Sequence, residues 1–360
     1  MTYGVPQGSI LGPLLFLIYI NDIPEIAKYA KFILYADDAN IIITAETIED
    51  IQKQLTELVD FLVKWVSSNG LALNLKKTNY MIFSRRKVDL PETLTILNVP
   101  IERKTEARFL GVIIDESLKW SSHIKSVVSK ISRYIGVMFK IKKFLPLKSR
   151  LQVYHSFIHS YLSYCSLVWG FCCKSNIETL FRKQKIGIRA VVPGFINYKY
   201  KDGLTPGHTK PAFSEYKILT IQNLVALNTL LFMHKIYNMP KLLPHSICIT
   251  ISNESPRLGS THSTCENWLA TYNNHVYLNS LFCKGPLIYI MPEVHANIVP
   301  TNKIPLQQYK KNLKDILFDF QGSGSEYEWQ NNNFILYTIA GLRRSKRKEK
   351  TVSYIPYFEN

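Results

Sequence analysis

The stretch Phe32-Ile33-Leu34-Tyr35-Ala36-Asp37-Asp38-Ala39-Asn40-Ile41-Ile42-Ile43 sets the reading of this chain. Two β-prone apolar runs flank a polar pair, the pattern of a hairpin with the acids at its tip. Two adjacent carboxylates backed by apolar strands are costly unless something positive neutralises them. From Phe32 to Gln52 there is no Lys or Arg, so that charge must come from distant residues or from a metal ion. Hard cations such as Mg²⁺ prefer carboxylate oxygens and often bridge to phosphates. On its own, an Asp-Asp pair in a turn is ordinarily just solvated. The neighbouring segments decide between the two readings.

Before the hairpin, Gly4-Val5-Pro6-Gln7-Gly8-Ser9 is turn-rich and opens onto the apolar run Ile10 to Ile20. Ser9 can cap a helix there, and Pro13 falls near its first turn, where proline is tolerated. After the hairpin, Thr47 opens a helix whose apolar positions Ile48, Ile51, Leu55, Leu58, Val59 and Leu62 have helical spacing. Gly70 should stop the following turn. Leu71-Ala72-Leu73-Asn74-Leu75, Met81-Ile82-Phe83 and the run Phe109 to Ile114 are expected to be strands. Residues 1–115 therefore read as a small α+β unit with an antiparallel sheet. From Trp120 the periodicity turns helical, with helices expected over roughly 122–143, 147–170 and 176–191. The Gly/Pro/Lys-rich segment Asp202 to Pro211 marks a second boundary, and an amphipathic helix is expected over 214–236. The remainder of 202–360, including the basic cluster Arg343 to Lys350, has no assignable fold.

Charge is unevenly spread. The 360 residues carry +17, yet residues 1–60 hold nine acids and three bases, a net of −6 that leaves +23 for the rest. Between Glu116 and Glu178 lie sixty-one residues with no acid and ten bases, Lys125, Lys130, Arg133, Lys140, Lys142 and Lys143 among them. Interleaved aromatics (Tyr134, Phe139, Phe144, Tyr154, Tyr161) make this a candidate face for a phosphate backbone. The competing reading is a helical bundle with core aromatics and solvated lysines.

Six cysteines in 360 residues do not form a disulfide scaffold, and no Cys/His spacing suits zinc. The longest apolar run is eleven residues, short of the ~20 that span a bilayer, and the N-terminus lacks the pattern of a signal peptide. The chain is expected to be intracellular, in nucleus or cytoplasm, without a membrane partner.

Taken in order, Gly4 to Phe16, Tyr35-Ala36-Asp37-Asp38, Gly70 to Thr78 and Phe109-Leu110-Gly111-Val112 resemble the consecutive palm motifs of a reverse transcriptase. Tyr19 to Pro24 and Trp120 to Ile124 are similar to the polymerases of Jockey-like non-LTR retrotransposons. A weaker likeness, carried by Tyr164 to Gly170 and Leu180 to Arg189, continues to about residue 240.

The resemblance implies a partial palm (1–115), an all-helical basic thumb (116–201) and a C-terminal region of unknown fold (202–360). It implies that Asp37 holds divalent metal, Mg²⁺ or Mn²⁺, with Asp38 adding charge beside it. Gly4, Pro6, Gln7, Gly8 and Ser9, with Tyr35, would support the template base and incoming nucleotide. Lys77 would face the triphosphate as proton donor or compensating charge, with Lys76 as the alternative. Phe109, Leu110 and Gly111 would grip the primer end. RNA template, DNA primer and deoxynucleoside triphosphates would be the partners.

The family places a further metal-binding aspartate, and the fingers, ahead of the Gly-Pro-Gln-Gly loop, where this sequence has only three residues before Gly4. The chain is therefore expected to be the back half of a polymerase, inactive by itself. Its rival is a truncated or domesticated remnant that holds nucleic acid without chemistry. A third option, a metal hydrolase on the Asp pair, leaves Gly4 to Ser9 and Lys77 unexplained.

Overall fold

The computed structural model describes residues 5–6, 8–84, 93–96, 99–192, 209–238 and 306–323. The chain divides into two compact units, Met1–Ala107 and Arg108–Asn360. Both helix and sheet are present, so the mixed α+β class holds. Among the described residues no helix is long and apolar enough to cross a membrane. The tail Arg343 to Lys350 lies outside the described residues.

The first unit is ordered by local signals. Helix α1 (Leu11–Tyr19) starts where the Gly12 amide donates to Ser9 Oγ at 3.1 Å, so Ser9 satisfies one of the free first-turn amides. A 3₁₀ turn, Ile23–Ile26, leads to strands β1 (Lys31–Tyr35) and β2 (Asp38–Ile42). Helix α2 (Ile48–Ser68) is capped by Thr47, whose hydroxyl accepts from the Asp50 amide at 3.1 Å. It ends at Gly70, φ +64°, with Leu71 N–H donating to Val66 O and Gly70 N–H to Ser67 O. Those crossed bonds close a left-handed helix terminus that glycine adopts without a Cβ penalty.

Two strand expectations fail here. Residues 71–75 and 81–84 are not strands; only Asn79–Tyr80 (β3) is. Nor is there one antiparallel sheet. β3 pairs in parallel with β5 (Val99–Arg103), β5 pairs antiparallel with β4 (Thr93–Ile96), and β1–β2 stands as a separate ribbon. The apolar alternation of Leu71–Leu75 is spent on a turn, where Lys77 N–H and Thr78 N–H both donate to Asn74 O.

The second unit is ordered by burial. The hairpin of β6 (Glu106–Phe109) and β7 (Val112–Asp115) leads to α3 (Ser121–Ile141). The run Phe109 to Ile114 is thus two strand ends around a tight turn rather than one strand. Helix α4 (Leu147–Val153) runs through a π-helical segment, Tyr154–His159, into α5 (Ser160–Ser163). The chain breaks at Cys165, φ +51°, before α6 (Ser166–Trp169), so the single helix expected over 147–170 is a broken one. Helix α7 (Lys174–Val191) follows.

The expected helix over 214–236 is two: α8 (Lys210–Glu215) and α9 (Ile221–Asn238). Lys217, φ +49°, ends α8, with Ile218 N–H donating to Phe213 O and Lys217 N–H to Ser214 O. A lysine takes the left-handed position that glycine usually marks, so no sequence signal announces this stop. Within the tail region, α10 (Leu306–Ser323) packs on α8 and α9.

The core joins Ile124, Val127, Ile131, Ile135 and Met138 of α3 to Leu180, Phe181 and Ile188 of α7, with Trp169, Phe213 and Leu224. Fully buried Gln184 holds three elements at once. Its Nε2 donates to Tyr154 Oη at 3.1 Å and to Leu219 O at 2.8 Å, and its Oε1 accepts from Ile221 N–H at 2.9 Å. A buried amide satisfied on both sides fixes one packing arrangement, because any slip leaves it unpaired.

Candidate functional site

The acids sit where the hairpin turns. The β1–β2 register pairs Tyr35 with Asp38, leaving Ala36-Asp37 as a two-residue turn with Ala36 at φ +49°. Strand alternation puts Phe32, Leu34 and Ile41 on the half-buried face and Tyr35 and Asp38 together on the exposed one. Asp37 and Asp38 are both exposed, and Tyr35 is 61% exposed beside them. Among the described residues neither carboxylate forms an ion pair, and no group of three or more His, Cys, Asp or Glu could hold a metal. The donor chemistry nonetheless fits a hard divalent ion. Mg²⁺ keeps several waters and is bound by one or two carboxylates plus substrate phosphates. Two exposed adjacent carboxylates supply that much and leave the rest of the shell open.

The other expected residues are placed as follows. Gly4 and Gln7 lie outside the described residues. Pro6 and Gly8 are exposed, and Gly8 has φ +88° with nothing within 4 Å of a notional Cβ. Ser9 is half-buried and is spent on the α1 start. Lys76 and Lys77 are exposed on the turn after α2. Among the described residues no hydrogen bond or ion pair joins Asp37 or Asp38 to Ser9, Lys76 or Lys77.

Phe109, Leu110 and Gly111 form the β6–β7 turn, with Leu110 at φ +45° and Gly111 at φ +83°. Three side chains to which the motif reading assigned no role hold this hairpin. Tyr164 donates its hydroxyl to Leu110 O at 2.5 Å, and its ring lies 3.5 Å from where a Gly111 Cβ would stand. His123 Nδ1 accepts from Ile113 N–H at 3.2 Å while its ring lies 5.7 Å from Trp169. Burial, then the positive charges of Lys130 and Arg108, pushes the His123 pKa down to about 4, so the ring is neutral and can accept. Asp115 accepts from Ser117 Oγ at 2.6 Å, Lys119 N–H at 3.0 Å and Trp120 N–H at 2.7 Å. Burial raises the Asp115 pKa, but these hydrogen bonds together outweigh it and the net shift is downward. Tyr164 lies 54 residues from Leu110, so no local pattern could have linked them.

On α3 the basic residues turn away from the core. At 100° per residue, Arg133 and Lys140 fall opposite Ile124, Val127, Ile131 and Ile135, and Lys125 falls on the flank between the two faces. All three are exposed, as is Lys143; Lys130 and Lys142 are half-buried. Lys130 Nζ lies 5.3 Å from the Tyr161 ring centroid and Lys142 Nζ 4.8 Å from that of Phe139. Of the interleaved aromatics, Tyr154 is core, whereas Phe139 and Phe144 are exposed.

Residues 1–114 match the reverse transcriptase (RNA-dependent DNA polymerase) family. The chain is 27% identical over 185 residues to a probable RNA-directed DNA polymerase from transposon X-element of Drosophila melanogaster, which covers 49% of this chain and 20% of the relative. It is 28% identical over 189 residues to the RNA-directed DNA polymerase from mobile element jockey of the same fly, covering 49% and 20%. A retrovirus-related Pol polyprotein from type-1 retrotransposable element R1 2 of Nasonia vitripennis is 26% identical over 181 residues, 46% of this chain and 43% of the relative. The chain spans about a fifth of the length of the two fly polymerases. No solved structure matches. Residues 1–114 thus match the reverse transcriptase family, and about half of the chain is similar to RNA-directed DNA polymerases of the X-element and jockey mobile elements.

Proposed function

We propose that this chain serves RNA-directed DNA synthesis, adding deoxynucleotides to a DNA primer on an RNA template. The observation that carries this reading is the pair of exposed carboxylates at the β1–β2 tip, inside the segment that matches the family. Residues 1–115 act as palm and 116–201 as basic thumb. Asp37 and Asp38 hold Mg²⁺ or Mn²⁺, which when bound lowers the barrier to attack by the primer 3′-hydroxyl and offsets charge on the departing pyrophosphate.

The chain's own groups do the rest. Lys77, or Lys76 beside it, brings positive charge or a proton to the leaving group. Gly8 lets backbone approach the template strand, with Pro6 and Ser9 shaping that loop and Tyr35 flanking the nucleotide. The Phe109–Gly111 turn, fixed by Tyr164, presents a rigid apolar edge to the primer end. Lys125, Arg133 and Lys140 meet backbone phosphates, so affinity for a primer–template falls as salt rises.

Two measurements test this. Mn²⁺ titration followed by electron paramagnetic resonance should show weak binding to the 360-residue chain that disappears in Asp37→Ala; unchanged binding overturns the metal assignment. In primer extension on an RNA template with Mg²⁺, these 360 residues tested by themselves should give no product. Preceded in frame by the fingers and first palm strand of the jockey polymerase they should extend, and Asp37→Ala should cut the rate by roughly 10³-fold. Extension undiminished by that substitution would refute the reading and leave the nucleic-acid-holding remnant in its place.

A further inference from the structure

The outer surface of the second unit carries an aromatic ladder that the polymerase reading does not use. Tyr134 of α3 stacks on Phe157 of the π-helical segment, centroids 4.7 Å apart and planes 22° from parallel. Tyr134 also stacks on Tyr161 of α5, at 5.8 Å and 28°. Phe157 is 41% exposed, and Tyr134 and Tyr161 are half-buried.

This arrangement is not a core that happens to reach the surface. A core aromatic is enclosed, as Tyr154 is at 0% exposure three residues before Phe157. The ladder instead spends large apolar faces at a solvent boundary. Phe157 and Tyr161, four residues apart along the run from the π-helical segment into α5, both reach the same α3 position. Lys130, one turn before Tyr134, lies over the Tyr161 ring at 5.3 Å, and Arg133 lies next to Tyr134 on the exposed side of α3. No Asp or Glu occurs from Ser117 to Ile177, so no acid from α3, α4, the π-helical segment or α5 opposes an anion here.

Parallel aromatic faces with adjacent cations suit one chemistry in particular. Unpaired bases stack on aromatic rings without regard to sequence, while lysine and arginine meet the phosphates between them. A duplex hides its base faces and would use only the cations. An acidic peptide has the charge but not the flat faces.

We propose that Tyr134, Phe157 and Tyr161, with Lys130 and Arg133, form a stacking platform for single-stranded nucleic acid. The proposal rests on the reading of this chain as a nucleic-acid-handling protein and gives that reading a second, base-stacking site. The strand it takes is unpaired template or displaced strand, not the paired primer–template.

The test uses the full chain and a fluorescein-labelled oligo(dT) of twelve nucleotides, followed by anisotropy, beside an abasic strand of the same length. Phe157→Ala is exposed enough to leave the fold intact, which circular dichroism checks. It should weaken oligo(dT) binding on the order of tenfold, the loss of one stacked base, with the salt dependence unchanged. Phe157→Tyr should bind as the parent does, and the abasic strand should bind parent and Phe157→Ala alike. Equal affinity of parent and Phe157→Ala for oligo(dT) overturns the platform, as does a parent that fails to prefer oligo(dT) over the abasic strand. If Lys125→Gln, Arg133→Gln and Lys140→Gln together weaken binding while Phe157→Ala does not, the platform fails and the phosphate-binding reading stands. If neither set of variants matters, both fail.

Discussion

The two units of this chain are held together by different physics. In the first, order is written in turns and caps: Ser9 at the start of α1, Thr47 at the start of α2, Gly70 at its end, and a two-residue turn between β1 and β2. Little is buried behind them. None of the nine residues of α1 is buried, and Leu11, Leu14, Leu17 and Ile18 are each more than half exposed. In the second unit, the side chains do the work. Trp169, Tyr154, Ile131, Leu180 and Ile188 are all within 1% of fully buried, and Gln184 ties three elements by hydrogen bonds. The carboxylates proposed to hold metal lie on the lightly packed unit, and the basic face proposed to meet a polyanion lies on the densely packed one.

That contrast can be broken by three stability measurements on the full chain. Trp169→Ala strikes the second unit's core and removes an indole whose Nε1 donates to Tyr164 O at 2.9 Å. It should cost about 3–5 kcal/mol in urea unfolding and release the β6–β7 turn by loosening Tyr164. A cost below ~1 kcal/mol would mean that this core is not what orders the unit.

Acid sharpens the comparison next. His123 is buried and held near pKa 4, below its ordinary 6.5, by burial and then by Lys130 and Arg108. Its folded-state pKa is lowered, so the unfolded chain binds the proton more readily and stability falls as pH drops from 6.5 toward 4. Below that range the loss is complete, and above pH 6.5 it is absent. His123→Gln should flatten this slope; a slope that is unaltered assigns the acid sensitivity to other groups. His159, also pushed down to about 4 by burial first and then by His155, Lys314 and Lys310, contributes in the same direction.

The smallest effect is expected in the first unit. Leu14→Gln on α1 exchanges a 55% exposed apolar side chain for a polar one, and stability should change by no more than ~0.5 kcal/mol. A loss above ~1 kcal/mol would show that α1 is covered in solution and that the two units differ less in packing.

Much of the local structure was legible. The β-prone apolar runs on either side of Asp37-Asp38 specified a hairpin, although its turn is Ala36-Asp37 and Asp38 opens β2, and Thr47 with the spacing of Ile48 to Leu62 specified a capped amphipathic helix that buries Leu58. The misses have identifiable causes. Leu71-Ala72-Leu73-Asn74-Leu75 has strand composition, but Asn74 O draws in the Lys77 and Thr78 amides and the segment turns. The stop at Lys217 carried no glycine to announce it. The single helix expected from 147 to 170 is interrupted by a π-helical segment and by Cys165 in the left-handed region, neither of which disturbs hydrophobic periodicity enough to be read.

By itself, then, the sequence determined what depends on neighbours along the chain: the acid hairpin, the helix caps, the acid-free basic stretch and the order of the motifs. Tertiary structure alone decided which distant groups meet. Tyr164 closing on Leu110, His123 on Ile113, Gln184 on Tyr154 and Ile221, and Tyr134 on Phe157 and Tyr161 are contacts of that kind. Hydrogen bonds and periodicity act over a few residues and leave a trace in the sequence. Close packing and the pairing of buried polar groups act through space, and their partners are chosen only when the chain has folded.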